Sequence, residues 1–280
     1  MRNGLIASTL LMLVTFSFLA TGCSSRVETA GEEAAKTIPD LSGIWDAPIN
    51  LTPSGEQRFD LCGEPTCDAL LKYPLPHDVT VVEPQMLPWA EEKYKAAREG
   101  VPEGIPFPRE DADPWFSACM PASPSLLMLS PFGDFELRQF PDVVLLLFTG
   151  TAGGDHEVRR IYVDGRGHPS NGKPTWMGHS IGRYEGDTLV VDTIGIIGNR
   201  LIDVQGHPHS DALHLVERIR RVNQKSLEVE VTFDDPKAYK NTWRKKIVRG
   251  LAPPGPGFWE DVLCEELLQM GTHYSAESRK

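Results

Sequence analysis

Residues 213–233 read LHLVERIRRVNQKSLEVEVTF, two β-patterned runs on either side of the polar turn Asn223-Gln224-Lys225-Ser226. In the second run Leu227, Val229, Val231 and Phe233 alternate with Glu228, Glu230 and Thr232. That is the period-two pattern of a strand with one buried and one wet face. In the first run the odd positions Leu213, Leu215, Glu217 and Ile219 make the more apolar face, which sends the Glu217 carboxylate inward. The two runs are therefore a hairpin.

The same texture extends outward in both directions. Phe135–Phe140 and Val143–Thr149 flank Pro141-Asp142, and Glu157–Val163 ends in the tight-turn pair Asp164-Gly165. His179–Tyr184 and Thr188–Ile196 flank Glu185-Gly186-Asp187, and Thr242–Arg249 and Phe258–Cys264 follow the hairpin. With Gly43–Asp46 in front, the chain carries about ten short strands separated by turn signals. The run Val143–Phe148 shows no alternation, as expected of a strand covered on both faces. Before Ser130 the chain is Pro-rich and irregular. It holds one predicted helix, Pro88 to Glu99, with Pro in the first turn, Glu91 and Glu92 early, Arg98 late and Gly100 beyond.

Hairpins in series without alternating helices predict an antiparallel meander that closes on itself, because closure removes exposed edges. No repeat of propeller or solenoid length is present. The opening Gly43-Ile44-Trp45 resembles the Gly-x-Trp of the first strand in lipocalin-like barrels. The expected fold is mainly β: a lipocalin-like (calycin) barrel of about 8–10 strands, with a β-sandwich as the alternative.

Residues 1–22 read as a leader rather than as structure. Arg2 precedes an apolar stretch, Leu5 to Ala20, and small residues lead to Cys23. The stretch is shorter than the roughly 20 apolar residues a spanning helix needs. Leu19-Ala20-Thr21-Gly22-Cys23 resembles a bacterial lipobox, with Ala20 in place of the usual Leu. The resemblance implies cleavage before Cys23 and acylation of that cysteine with palmitate-type chains. Ser24 resembles the sorting signal of lipoproteins sent to the outer membrane. Residues 23–36 are small, polar and acidic, a flexible tether. Residues 37–280 then form one domain, an irregular segment 37–130 packed on a barrel core 131–280.

The formal charge is −11, with 28 Lys and Arg against 39 Asp and Glu. An acidic chain without a long basic cluster is a poor nucleic-acid partner, so membrane attachment falls to the lipid on Cys23. Beyond Cys23 there are four cysteines, an even number that favours disulfides in an exported chain. Cys62 and Cys67 sit close together in a Gly- and Pro-containing loop, which leaves Cys119 and Cys264 for a second bridge; zinc is the competing reading.

Six of the eight histidines lie between residues 155 and 218. Residues 174–193, PTWMGHSIGRYEGDTLVVDT, resemble the signature of a large uncharacterised family of exported proteins and lipoproteins of environmental Gram-negative bacteria. Residues 160–169, the stretch from His207 to Arg218, Asp234-Asp235-Pro236 and the cysteines near both ends of the core resemble further blocks of it. The likeness spans roughly Cys119 to Glu265. It implies fold and location, and carries no activity with it.

The chemistry must be read from the residues. A carboxylate at Glu217 among apolar groups is a candidate acid or base, or one half of a buried pair with Arg160 or Arg183. His207-Pro208-His209 with His214 has a spacing similar to cupin metal loops, which makes these three candidate ligands for a divalent metal; no other cofactor is predicted. The bland alternative is a polar loop at the barrel rim. Asp192 lies in a largely apolar strand and needs a partner. His179 begins the neighbouring strand, giving a His–Asp couple at one barrel mouth, near Asp164, Arg166 and His168. The candidate catalytic set is His179, Asp192, His209 and Glu217. Candidate ligand contacts are Arg160, Tyr162, Trp176, Arg183 and Arg218. No nucleophile elbow, phosphate loop or dinucleotide fingerprint occurs.

Two function classes follow. One is an envelope lipoprotein that binds a small hydrophobic or aromatic molecule in its barrel. The other is a periplasmic acid–base enzyme (hydrolase, lyase or isomerase) acting on such a molecule. A structural envelope protein without ligand is the third.

Overall fold

In the computed structural model, residues 38–46, 78–102, 108–114, 120–130, 134–148 and 157–252 are described. All of them lie in one unit, Thr37–Lys280. The predicted leader and tether, all five cysteines and the predicted strand Phe258–Cys264 lie outside the described residues.

Nine strands form in the β-patterned runs, and β2, β8 and β9 are additional: β1 (Gly43–Asp46), β2 (Asp78–Val82), β3 (Phe135–Gln139), β4 (Val143–Phe148), β5 (Val158–Tyr162) and β6 (His179–Glu185). They continue with β7 (Thr188–Ile194), β8 (Arg200–Leu201), β9 (Pro208–His209), β10 (His214–Asn223), β11 (Ser226–Asp234) and β12 (Trp243–Leu251). Leu227, Val229, Val231 and Phe233 of β11 are all fully buried, while Glu228, Glu230 and Thr232 face outward. Sequence pattern thus becomes an inward apolar stripe.

The strands run in the order β1-β3-β4-β5-β6-β7-β10-β11-β12, and β12 pairs with β1 to close a nine-stranded barrel. Trp45 makes the seam. It lies opposite Phe135 on one side and Leu251 on the other, is fully buried, and donates its indole N–H to the Leu41 carbonyl at 3.0 Å. β2, which the sequence pattern did not announce, adds to β12 next to β1.

Nine is an odd number, and that decides one connection. Around a closed ring, strand direction reverses at every antiparallel neighbour, so an odd ring must contain a parallel pair. It falls at β5–β6, where Ile161 faces Ser180 and Tyr162 faces Ile181. The expected all-antiparallel meander is corrected at this one place. A parallel pair needs a crossover instead of a tight turn, and residues 163–178 supply it.

Two helices, both placed by Pro at their first turn, complete the described architecture. α1 (Pro88–Arg98) carries Glu91 early and Lys95 and Arg98 late, matching the helix dipole. It buries Ala90 and Ala97 and stacks Tyr94 on His207, ring centroids 4.8 Å apart. α2 (Pro124–Leu129) is buried at every position. Ser123 caps it by accepting from Leu126 N–H, and Ser125 Oγ donates to the Ile202 carbonyl. Its far end meets Arg249 of β12, whose Nη2 donates to the carbonyls of Met128 and Ser130 at 2.8 Å. A guanidinium there satisfies carbonyls a short helix leaves open. The inward side chains and α2 form one packed core.

Candidate active site

Charged side chains collect in three places, and each follows from strand alternation plus one connection. The first is inside the barrel. Glu217 of β10 points inward as predicted and is fully buried, but its partner is Arg159 of β5 rather than Arg160 or Arg183. Arg159 Nη1 donates to Glu217 Oε1 at 2.8 Å and Nη2 engages Oε2. The remaining guanidinium donors reach Ser180 Oγ and Thr193 Oγ1. Alternation puts Arg159 on the same face as Ile161, a signal already present in the sequence. With both carboxylate oxygens held by one guanidinium, Glu217 is built into a closed pair.

The second place lies under α1. Asp203 is fully buried and accepts from His207 Nδ1 at 2.8 Å and from Lys245 Nζ at 3.2 Å. Burial alone would raise its carboxyl, but the electrostatic pull of His207 and Lys245 and the hydrogen bonds from His207 hold it far below the usual carboxylate range. His207 is sandwiched between Tyr94 and Trp243. Next to it, Arg200 of β8 and His209 of β9 sit directly opposite each other. Arg200 Nε and Nη2 grip Asp113, and Nη2 also donates to the Pro121 carbonyl. His209 Nδ1 lies 2.8 Å from the Ser210 carbonyl. A carbonyl only accepts, so Nδ1 carries the proton and Nε2 is a lone pair. Burial pushes the His209 pKa down. Arg200 Nη1 and His209 Nε2 are both enclosed without a hydrogen-bond partner.

The third place is the outer face of β5, β6, β7 and β10, under the crossover 163–178. Here Asp192 of β7, His179 of β6 and His214 of β10 point outward from adjacent strands. The crossover delivers His168 between them. His168 Nε2 lies 2.9 Å from Asp192 Oδ1, and His168 Nδ1 lies 2.9 Å from His179 Nδ1. His214 Nε2 stands 3.0 Å from the same Oδ1, an electrostatic contact outside aligned hydrogen-bond geometry. Tyr162 stacks on His179 with centroids 5.5 Å apart, and Arg166 lies over the Tyr162 ring at 3.9 Å. Asp164 holds Arg166 in the turn that starts the crossover.

Hydrogen-bond direction along this chain starts at its anionic end. A carboxylate can only accept, so His168 donates from Nε2, and as a neutral imidazole it keeps a lone pair on Nδ1. That lone pair accepts from His179 Nδ1–H. His179 Nε2 is then left as a bare lone pair on a half-buried ring. Burial is the largest cause that lowers the His179 pKa, with the electrostatic influence of His168 and Arg166 behind it, so the ring is neutral near pH 7. Burial alone would raise Asp192, but its contacts with His168 and His214 outweigh that and hold it below the ordinary value.

Comparison with protein-family models, with curated proteins and with solved structures returned no match. The chain is read on its own geometry.

The candidate residues therefore separate. His179 and Asp192 belong to one cluster, joined through His168 rather than directly. His209 and Glu217 lie elsewhere, each buried in its own network. The three candidate metal ligands occupy three environments: His207 on Asp203, His209 behind Arg200, His214 on Asp192. Among the described residues no group of three or more His, Cys, Asp or Glu has the arrangement of a metal site. Of the candidate ligand contacts, Tyr162 flanks His179 and Trp176 lies 4.8 Å beneath the Arg200 guanidinium. Arg183 and Arg218 both bind Glu185 on the solvent face, and Arg160 is exposed.

Proposed function

We propose that this protein is an envelope-anchored acid–base enzyme, held to the membrane by lipid on Cys23, whose reacting group is His179. The observation that carries the reading is the hydrogen-bonded chain Asp192–His168–His179. It ends in an imidazole lone pair kept basic but unprotonated at neutral pH by its surroundings. When His179 Nε2 takes a proton from water or from a substrate, its Nδ1 proton moves to His168, and the positive charge settles beside Asp192. The stacked Tyr162 offers aromatic surface to a small hydrophobic or aromatic substrate. A binder has no use for such a proton path, which is why the enzyme is preferred to a lumen-binding protein.

Two measurements test it. Long-range ¹H–¹⁵N NMR reads imidazole tautomers: His168 should carry its proton on Nε2 and His179 on Nδ1. A His179 protonated at pH 7 would sink the assignment. Hydrolysis of p-nitrophenyl acetate, a generic probe of a positioned base, should fall by about 10²–10⁴-fold in His179→Gln. The rate should rise with pH and level off below pH 6.5, since the base form dominates above a depressed pKa.

A further inference from the structure

The chain carries a concave site that the acid–base chain does not use. A cleft of about 220 Å³ opens between α1, the turn 109–112 and strands β8 and β9. Its walls are small and apolar, from Ala96, Ala97, Leu201 and Pro208. Around its edge stand Lys93, Arg109 and Arg200 against the carboxylate of Asp111, with Asp113 behind Arg200. Three cations against two anions make this cleft positive in a protein whose formal charge is −11.

The charges are not equally committed. Arg109 is paired with Asp111 at the surface. Arg200 is only 6% exposed, is fixed by Asp113 through Nε and Nη2, and has Nη1 without a partner. Lys93 is the most open. Among the described residues its ammonium forms no ion pair; it donates to the side-chain oxygen of Asn199. Burial lowers its pKa, and Asp113 opposes that shift. Asn199 is held at φ 67°, and among the described residues no other non-glycine has a positive φ. Asn tolerates that region better than most residues, yet strain there persists only where the surroundings impose it. It sets the amide beside Lys93 at the cleft, one residue before Arg200.

We infer that this cleft is a binding site for a small organic carboxylate, with Lys93 as the point charge, Asn199 as a hydrogen-bonding partner, Arg200 adding fixed positive charge from the wall, and the Ala96–Ala97 wall taking a short apolar body. An ammonium without an ion-pair partner, beside a primary amide and a fixed guanidinium charge, matches a carboxylate, which is anionic and accepts at both oxygens. The small apolar walls favour a carboxylate with hydrocarbon attached over a free inorganic anion.

The test is calorimetric titration of the full chain in detergent micelles with benzoate, benzyl alcohol and inorganic phosphate. Benzoate should bind saturably, one per chain. Benzyl alcohol, which has the same body without the charge, and phosphate should each bind at least about tenfold more weakly. Lys93→Ala, at an exposed position, should weaken benzoate by about tenfold, the scale of one lost charge-assisted hydrogen bond. Asp192→Asn should keep benzoate binding, which separates this site from the acid–base chain. The inference is overturned if benzoate does not saturate, if benzyl alcohol or phosphate binds as well, or if Lys93→Ala binds benzoate undiminished.

Discussion

Glu217 and Asp192 are both carboxylates in apolar strands, and their neighbours give them opposite jobs. Glu217 faces inward, where Arg159, Ser180 and Thr193 close around it. Removing one half of such a buried pair leaves the other charge uncompensated, which costs about 3–5 kcal/mol. Glu217→Gln should therefore lose about that much in urea denaturation. The double variant Arg159→Met with Glu217→Met should recover most of it, because an apolar pair of similar volume removes both desolvation penalties. If the double variant is no more stable than the single, the pair is not the unit argued here. Asp192 faces outward, partly wet, with two imidazoles on one oxygen. Its environment holds a proton path without burying a net charge.

At the scale of elements, the crossover 163–178 exists because an odd barrel needs a parallel pair, and the acid–base chain exists because that crossover carries His168 over the sheet. Its exit is tightly built. Thr175 and Ile196 form a parallel bridge, and Gly178, at φ +64°, turns the chain into β6 one residue before His179. A Cβ on Gly178 would meet the Ile194 carbonyl oxygen at 2.6 Å, whereas Gly165, at φ +82° at the crossover's start, faces open space. Both alanine variants meet the backbone penalty of about 1–2 kcal/mol. Only Gly178→Ala adds a clash with main chain that cannot turn aside. Gly178→Ala should therefore be the less stable of the two by chemical denaturation and should shift the His179 ¹⁵N resonances. Equal losses and an unmoved His179 would mean that the exit is softer than its geometry implies.

For the whole molecule, alternation made the barrel legible. Apart from the two-residue β8 and β9, the strands from Phe135 to Arg249, the leading Gly-x-Trp strand and the inward Glu217 follow from strand patterning and turn chemistry, which are local. Neighbour relations were not legible. That β5 pairs in parallel with β6, that His168 comes between His179 and Asp192, and that Arg159 rather than Arg160 meets Glu217 are products of closure and register. β2 and α2 escaped notice because Pro-rich surroundings hide short elements whose stability is tertiary. Global stability should carry the mark of the perturbed histidines. His179 and His209 have folded pKa values below their unfolded ones, so the unfolded chain binds more protons. Their contribution is complete above about pH 6.5 and is lost as pH falls through the depressed folded values. Asp192 and Asp203 are also depressed, so their contribution holds down to about pH 4 and is lost only below it. Falling net charge works against the first loss, since the chain approaches its isoelectric point near 5.2 and self-repulsion fades. Salt at about 0.3 M screens that repulsion while leaving buried groups nearly untouched. Thermal unfolding at that ionic strength should therefore show the midpoint falling between pH 7 and pH 5, with a steeper fall below pH 4. His209→Gln, which has no proton to take up, should flatten the first decline while lowering the plateau. A midpoint level from pH 7 to pH 5 in the parent protein would mean that neither imidazole is held neutral by the fold, and the base assigned to His179 would fall with it.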